Sequence, residues 1–277
     1  IDLLFVGVFL FIFKHTLGLY SGVSVHDEVS KKDNFSFGVV VASLFYSFFL
    51  IMSAATTGGD LVGWKEESLL MTVYGVSGIL MLLVSKILFD KFSMKSFCVK
   101  EELSKDNMAI GLITGGNAIA TALIVFSYMS WVKGTDLTAI YVVAYGWVVS
   151  QIVLSGMTVV RSKFYKSNNG ESLADNLKSG NVAVAIRFTG YRLAMAFAVL
   201  VSSKLYLYDS EEPFVLATYI FASSLILITL VKVLTILMKK FVFSGVDFQD
   251  EINKQKKVGV ATIEVAFAMG LIALLYG

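Results

Sequence analysis

The sequence predicts an all-α integral membrane protein of eight transmembrane helices, arranged as four repeated helical hairpins, each with a short amphipathic cytoplasmic helix. Three observations predict it. The chain of 277 residues is 56% hydrophobic and only 16% charged, where soluble domains carry roughly 25% charge. Its apolar residues are grouped into runs long enough to cross a hydrocarbon core of about 30 Å. One pattern of small residues also occurs four times at near-constant spacing, the mark of an internal repeat.

The repeat is clearest after Asn181, where Ala183, Ala185, Gly190 and Ala194 follow at steps two, four, nine and thirteen. The same steps hold Ala109, Gly111, Gly116 and Ala120 after Asn107, and Ser36, Gly38, Ser43 and Ser47 after Asn34. After Lys257 they hold Gly259, Ala261, Ala266 and Gly270. The four anchors are 73, 74 and 76 residues apart.

Taken in order, the spans fall at residues 3–19, 35–55, 68–88, 108–130, 137–160, 182–203, 214–238 and 258–276. Charged segments follow the odd spans, and shorter or Gly-containing ones follow the even spans. Of 23 Lys and Arg, 17 lie in the first group of loops with their helix ends. Three lie in the second group (Lys65, Lys133 and Lys204), and three lie within helices. The positive-inside rule then puts the charged loops in the cytoplasm and both termini outside.

Each charged loop carries an apolar pair four residues apart: Val25 and Val29, Val99 and Leu103, Leu173 and Leu177, Phe248 and Ile252. Such pairs share a helix face, which predicts a short helix lying on the membrane surface with its lysines toward headgroups. Asn34, Asn107 and Asn181 stand where a spanning helix begins and read as N-caps. Lys257 breaks that pattern, so the last copy must cap differently.

Steps two, nine and thirteen fall within about 40° of one another on a helix. They form a narrow stripe containing the small-xxx-small pairs Ser43/Ser47, Gly116/Ala120, Gly190/Ala194 and Ala266/Gly270. In lipid such stripes let helix backbones approach closely. Lining a narrow pore is the competing use.

Four ionisable residues fall inside spans, where a charge is costly. Arg187 is about 9 Å and Arg192 about 16 Å along the sixth span at 1.5 Å per residue. Glu264 is seven steps into the eighth span, and Lys232 lies two turns from the end of the seventh. Internal pairing of Glu264 with Lys232 or Arg192, with Arg187 snorkelling, is one account. A site for an ion, an anionic lipid or an acidic partner is the other.

Net charge is +2, which gives no electrostatic case for nucleic acid. The single cysteine, Cys98, excludes an internal disulfide and a cysteine metal cage. His15 and His26 have no nearby ligand set, and no P-loop, zinc-protease or nucleophile-elbow motif is present. The expectation is therefore no catalytic residue, no metal and no cofactor. Gly58-Gly59-Asp60 reads as an outer turn, and Trp64, Trp131 and Trp147 as interface anchors or packing residues.

The segments 101–111 and 175–185 place an acidic/basic loop before an Asn and alternating small residues. They resemble the bacterial membrane family called domain of unknown function 350, with its Gly-Asn-x-Ala-x-Ala pattern and Gly-containing span. Members of that family are four-helix proteins made of two hairpins. The resemblance implies two such modules in tandem, residues 1–131 and 132–277. It also implies a bacterial inner membrane and a role beside envelope-stress and membrane-scaffold proteins. The first and last copies depart from the pattern at Asp33-Asn34-Phe35-Ser36 and at Lys257. Two functions are carried forward. One is a non-enzymatic subunit that assembles with itself, as a homo-oligomer, or with membrane partners. The other is a channel or transporter for an ion or small anion.

Overall fold

A computed structural model describes residues 2–21, 24–56, 64–132 and 137–276. The turn at residues 58–60 and the side chain of Trp64 lie outside the described residues. The elements are α1 (Asp2–Ser21), a π-helical turn (Asp27–Lys31), α2 (Phe35–Thr56) and α3 (Trp64–Leu88), which continues into a second π-helical turn (Phe89–Ser93). Then come α4 (Val99–Ser104), α5 (Met108–Trp131), α6 (Leu137–Asn169), α7 (Leu173–Lys178) and α8 (Val182–Ser203). The chain ends in α9 (Pro213–Val242), α10 (Phe248–Asn253) and α11 (Val258–Tyr276). No strand occurs among the described residues. Among the described residues, seven helices are long and apolar enough to cross a membrane, and the apolar stretch of α1 is the shorter Val6–His15.

The helices that follow the anchors form a central row in the order α2, α5, α8, α11, each packed along its length on the next. The other long helices lie across this row. α3 sits against both α2 and α5, and α9 against both α8 and α11, while α6 packs on α5 and α9. Chain-adjacent helices are therefore not exclusive partners. A helix laid over the groove between two row helices buries more apolar surface than one touching a single neighbour.

One register recurs along the row. A Cβ on Gly115 would collide with the Ser43 hydroxyl, one on Gly116 with the Thr189 methyl, and one on Gly190 with Val265. Step nine of one copy thus meets step eight of the next at all three junctions. Near the start of the same helices, a Cβ on Gly111 would lie 2.7 Å from the Ser36 carbonyl oxygen. Ser47, Ala120 and Ala194 are fully buried beside these contacts. At the end of the row the register has no successor, and Ala266 and Gly270 are exposed on α11.

The short helices α4, α7 and α10 occupy one end of the row, and the turn Asp27–Lys31 takes their place in the first copy. Their apolar pairs do not face lipid. Val99, Leu103, Leu173, Leu177, Phe248 and Ile252 are all buried within the protein. Only Val29, in the π-helical turn, is exposed. A six-residue helix has one apolar side, and here the ends of the row helices take it, leaving none for the membrane surface.

Hydrogen bonds explain why the pattern needs asparagine. Asn107 Oδ1 accepts from Ala109 N and Ile110 N, and Asn181 Oδ1 from Val184 N at 3.2 Å. Asn34 Oδ1 accepts from Phe37 N at 2.9 Å. That is N-cap geometry. The amide of the same side chain then reaches both its own short helix and the next copy. Asn34 donates to Glu28 Oε2 and to Leu103 O of the next copy, at 2.9 and 2.7 Å. Asn107 donates to Glu102 Oε2 and to Lys178 O, at 3.2 and 3.0 Å. Asn181 donates to Asn176 Oδ1 and to Asn253 O, at 2.8 and 3.3 Å. Each anchor therefore caps its own helix, ties down its own short helix and grips the next copy.

Among the described residues no row helix lies beyond α11, and the Lys257 ammonium pairs with Glu251 of its own short helix. The residue before each anchor is left-handed in every copy: Asp33, Asp106, Gly180 and Lys256 have φ of 50, 57, 77 and 57°. This is the reversal that closes one helix and frees the chain to start another. The acids that receive these amides are well held. Lys32 and Asn34 hold the Glu28 carboxyl below its ordinary range, against burial. Burial pushes Glu102 up, and Lys105 and Asn107 together more than reverse it.

If capping were the anchor's whole task, Asn181→Asp would be neutral, since aspartate caps equally well. The two donated bonds predict otherwise. Asn181→Asp is expected to lose at least about 2 kcal/mol, the cost of stranding buried acceptors and burying a charge. Thermal unfolding of the purified protein, compared with Asn181→Ala, checks this.

Candidate functional site

Two of the four charges expected at depth, Arg187 and Glu264, meet where α8 packs on α11. Arg187 stands at step six after its anchor and Glu264 at step seven after the next; the equivalent positions of the earlier copies, Val40 and Thr114, then Ile113 and Phe188, carry no charge. Arg187 Nη2 donates to Glu264 Oε1 at 3.1 Å, and Nε lies 3.0 Å from Oε2. Lys239 Nζ and Tyr191 Oη both donate to Oε1 at 2.8 Å. The carboxylate side chain is 1% exposed, and those of Arg187 and Lys239 are 12% and 13% exposed.

This arrangement differs from the pairing expected from sequence. Glu264 is engaged by Arg187 and Lys239, and neither Lys232 nor Arg192 reaches it. Arg187 is held by this carboxylate instead of snorkelling. Lys232 is exposed on α9 and forms no ion pair among the described residues.

Arg192 occupies a separate nest at 5% exposure. Its Nη2 donates to Asn117 Oδ1 of α5, and its Nη1 to Thr158 Oγ1 at 3.1 Å and Leu154 O at 3.4 Å of α6. Its guanidinium carbon lies 5.0 Å from the centre of the Phe89 ring and 5.8 Å from that of Phe188. Neutral oxygens and two aromatic faces receive this cation, the arrangement that suits a delocalised, weakly hydrated group.

Arg161 links the two groups. Its guanidinium carbon is 5.4 Å from the Phe188 ring centre and 5.2 Å from that of Tyr191, whose hydroxyl reaches Glu264. Sequence reasoning passed over Lys239, Tyr191 and Arg161. Lys239 and Arg161 read as loop-side basic residues, because the spans were drawn too short. α6 runs unbroken for 33 residues and α9 for 30. The available signal was spacing, since Lys239 lies seven residues after Lys232 and so on nearly the same helix face.

A cavity of about 610 Å³ opens beside the cluster. Arg187, Glu264, Lys239, Lys232 and Lys240 line it, together with the segment 243–249. Arg192 does not reach it.

A family model described as Domain of Unknown Function (DUF350) matches residues 1–129 and again residues 133–276. No curated protein and no solved structure matches the chain.

Proposed function

Because the chain belongs to the Domain of Unknown Function 350 family and carries its unit twice in tandem, we propose that it is a non-enzymatic membrane subunit that works by assembly. It takes eight spans as four hairpins, sits in a bacterial inner membrane, and keeps its charged loops in the cytoplasm and both termini outside. Its setting is envelope maintenance or stress response. The observation that carries this reading is the interrupted register of the row. Ser43, Gly116 and Gly190 each face the following row helix, whereas Ala266 and Gly270 are exposed with none to receive. Close approach of small residues is the main source of association between helices in lipid. The opposite end of the row presents Phe35, Tyr46 and Phe49, 65%, 56% and 48% exposed, which suit lipid contact. The occupant of the α11 stripe is thus a second copy of α11, in a twofold dimer.

Cross-linking tests it. With Cys98 replaced by Ser, Ala266→Cys is expected to give a covalent dimer in native membranes on mild oxidation. Ala42→Cys, at the far end of the row, is expected to stay monomeric. Equal, slow cross-linking of the two would refute assembly through α11.

Conduction is the second reading. It draws on a buried polar column between α5, α6 and α8, in which Gln151 donates to Thr121 and Arg192 to Asn117 and Thr158. Selective ion flux through liposomes, lost in Arg192→Ala, would replace assembly with transport.

A further inference from the structure

The cavity beside Glu264 has more positive charge than its own acids consume. Its lining contains Arg187, Lys232, Lys239 and Lys240 against Glu264 and Asp247. Both acids are already engaged. Glu264 receives Arg187, Lys239 and Tyr191, and Asp247 Oδ1 caps α10 by accepting from Gln249 N and Asp250 N. Lys232 and Lys240 meet no carboxylate among the described residues. A guanidinium offers five N–H donors. Arg187 turns its Nε and Nη2 edge to Glu264, and its Nη1 has no acceptor among the described residues. A largely buried cation with unused donors, beside two unpaired ammonium groups, calls for an oxyanion whose several oxygens can accept from more than one donor.

Depth identifies the source of that oxyanion. α9 starts at Pro213, directly after the acidic residues Asp209, Glu211 and Glu212, which mark one edge of the apolar span. Lys232 is 19 residues further along, about 28 Å at 1.5 Å per residue, which is nearly the full thickness of the hydrocarbon core. Lys239 and Lys240 stand about 10 Å beyond it, at headgroup level. The same cavity has an apolar wall of Ile236, Phe243 and Val246, with Ile236 41% and Val246 41% exposed. A free anion needs no apolar wall, whereas a phospholipid brings glycerol and acyl carbons beside its phosphate.

We propose that this cavity binds one anionic phospholipid from the leaflet on the short-helix side. Its phosphate lies against Arg187, Lys232 and Lys240, and its chains lie along Ile236. The proposal requires only that the chain spans a bilayer, so it stands or falls separately from the assembly through α11.

The test uses the full-length protein in nanodiscs of phosphatidylglycerol mixed with phosphatidylcholine, released into native mass spectrometry. Phosphatidylglycerol is expected to be retained at least tenfold over phosphatidylcholine. The double variant Lys232→Gln/Lys240→Gln is expected to lose most of that preference, with its melting temperature in pure phosphatidylcholine unchanged. Those two lysines form no hydrogen bond or ion pair among the described residues, so the variant separates binding from folding. Equal retention of the two lipids would overturn the proposal, as would an undiminished preference in the double variant. So would a bound inorganic phosphate with no lipid preference, because the site would then belong to a free anion.

Discussion

Glu264→Ala is expected to lower the stability of the protein by about 3–5 kcal/mol, the usual cost of removing one member of a buried ion pair. The penalty comes less from the lost attraction than from what is left behind. Arg187 and Lys239 are each close to nine-tenths buried, and without the carboxylate they face each other as like charges. Tyr191 loses its acceptor as well. Glu264→Gln keeps the shape and one carbonyl acceptor, so a smaller loss is expected. Arg187→Met combined with Glu264→Met removes both principal charges, and is expected to recover much of the stability lost in Glu264→Ala. Thermal or denaturant unfolding in detergent checks the series. A loss below about 1 kcal/mol for Glu264→Ala would mean that the pair behaves as an exposed one.

Gly190→Ala has the second large effect, and its sign is the informative part. On helix propensity alone, alanine in place of glycine stabilises by up to about 1 kcal/mol. At Gly190 the new Cβ would stand 2.6 Å from Val265 Cγ1 and 3.0 Å from Val265 Cβ. A β-branched side chain on a helix has little rotamer freedom with which to yield. Overpacking costs about 1–3 kcal/mol, so the net expectation is a loss of about 1–2 kcal/mol. Val265→Ala opens the same space, and in the Gly190→Ala/Val265→Ala pair the loss should be less than the sum of the two single losses. Gly38→Ala is the control, since a Cβ there meets nothing within 4 Å; it is expected to be neutral or stabilising. A stabilised Gly190→Ala would show that α8 and α11 do not approach as closely as described.

Much of the architecture was legible because bilayer physics writes it directly into composition. A span must be apolar for some 20 residues, and a repeat must recur at a fixed interval. The anchors Asn34, Asn107 and Asn181 and the small steps after them could therefore be found by counting. The direction of the short helices was not legible. Leu173 and Leu177 share a face whether that face meets lipid or protein, and only the packing of α7 beneath the bundle puts it inside. The second use of each anchor was hidden for a similar reason. Its amide reaches carbonyl groups about 70 residues away, and a carbonyl is invisible in a sequence.

The candidate site divides in the same way. Arg187, Arg192 and Glu264 stood out because charge inside an apolar run is costly wherever it occurs. Their partners did not stand out. Arg192 is met by Asn117 and Thr158, ordinary polar residues until α5 and α6 close on it. Lys239 resembled any basic residue at a helix end until α9 proved to run unbroken to Val242. The sequence by itself determined the recurring pattern of small residues, the positions of the apolar helices and which of them carry charge, because each is a property of one segment in its solvent. Only the tertiary structure decided that step nine meets step eight, that Glu264 faces Arg187 and Lys239, and that α11 is left uncovered. Those are relations between helices, set by how side chains of different segments interlock, and no single segment contains them.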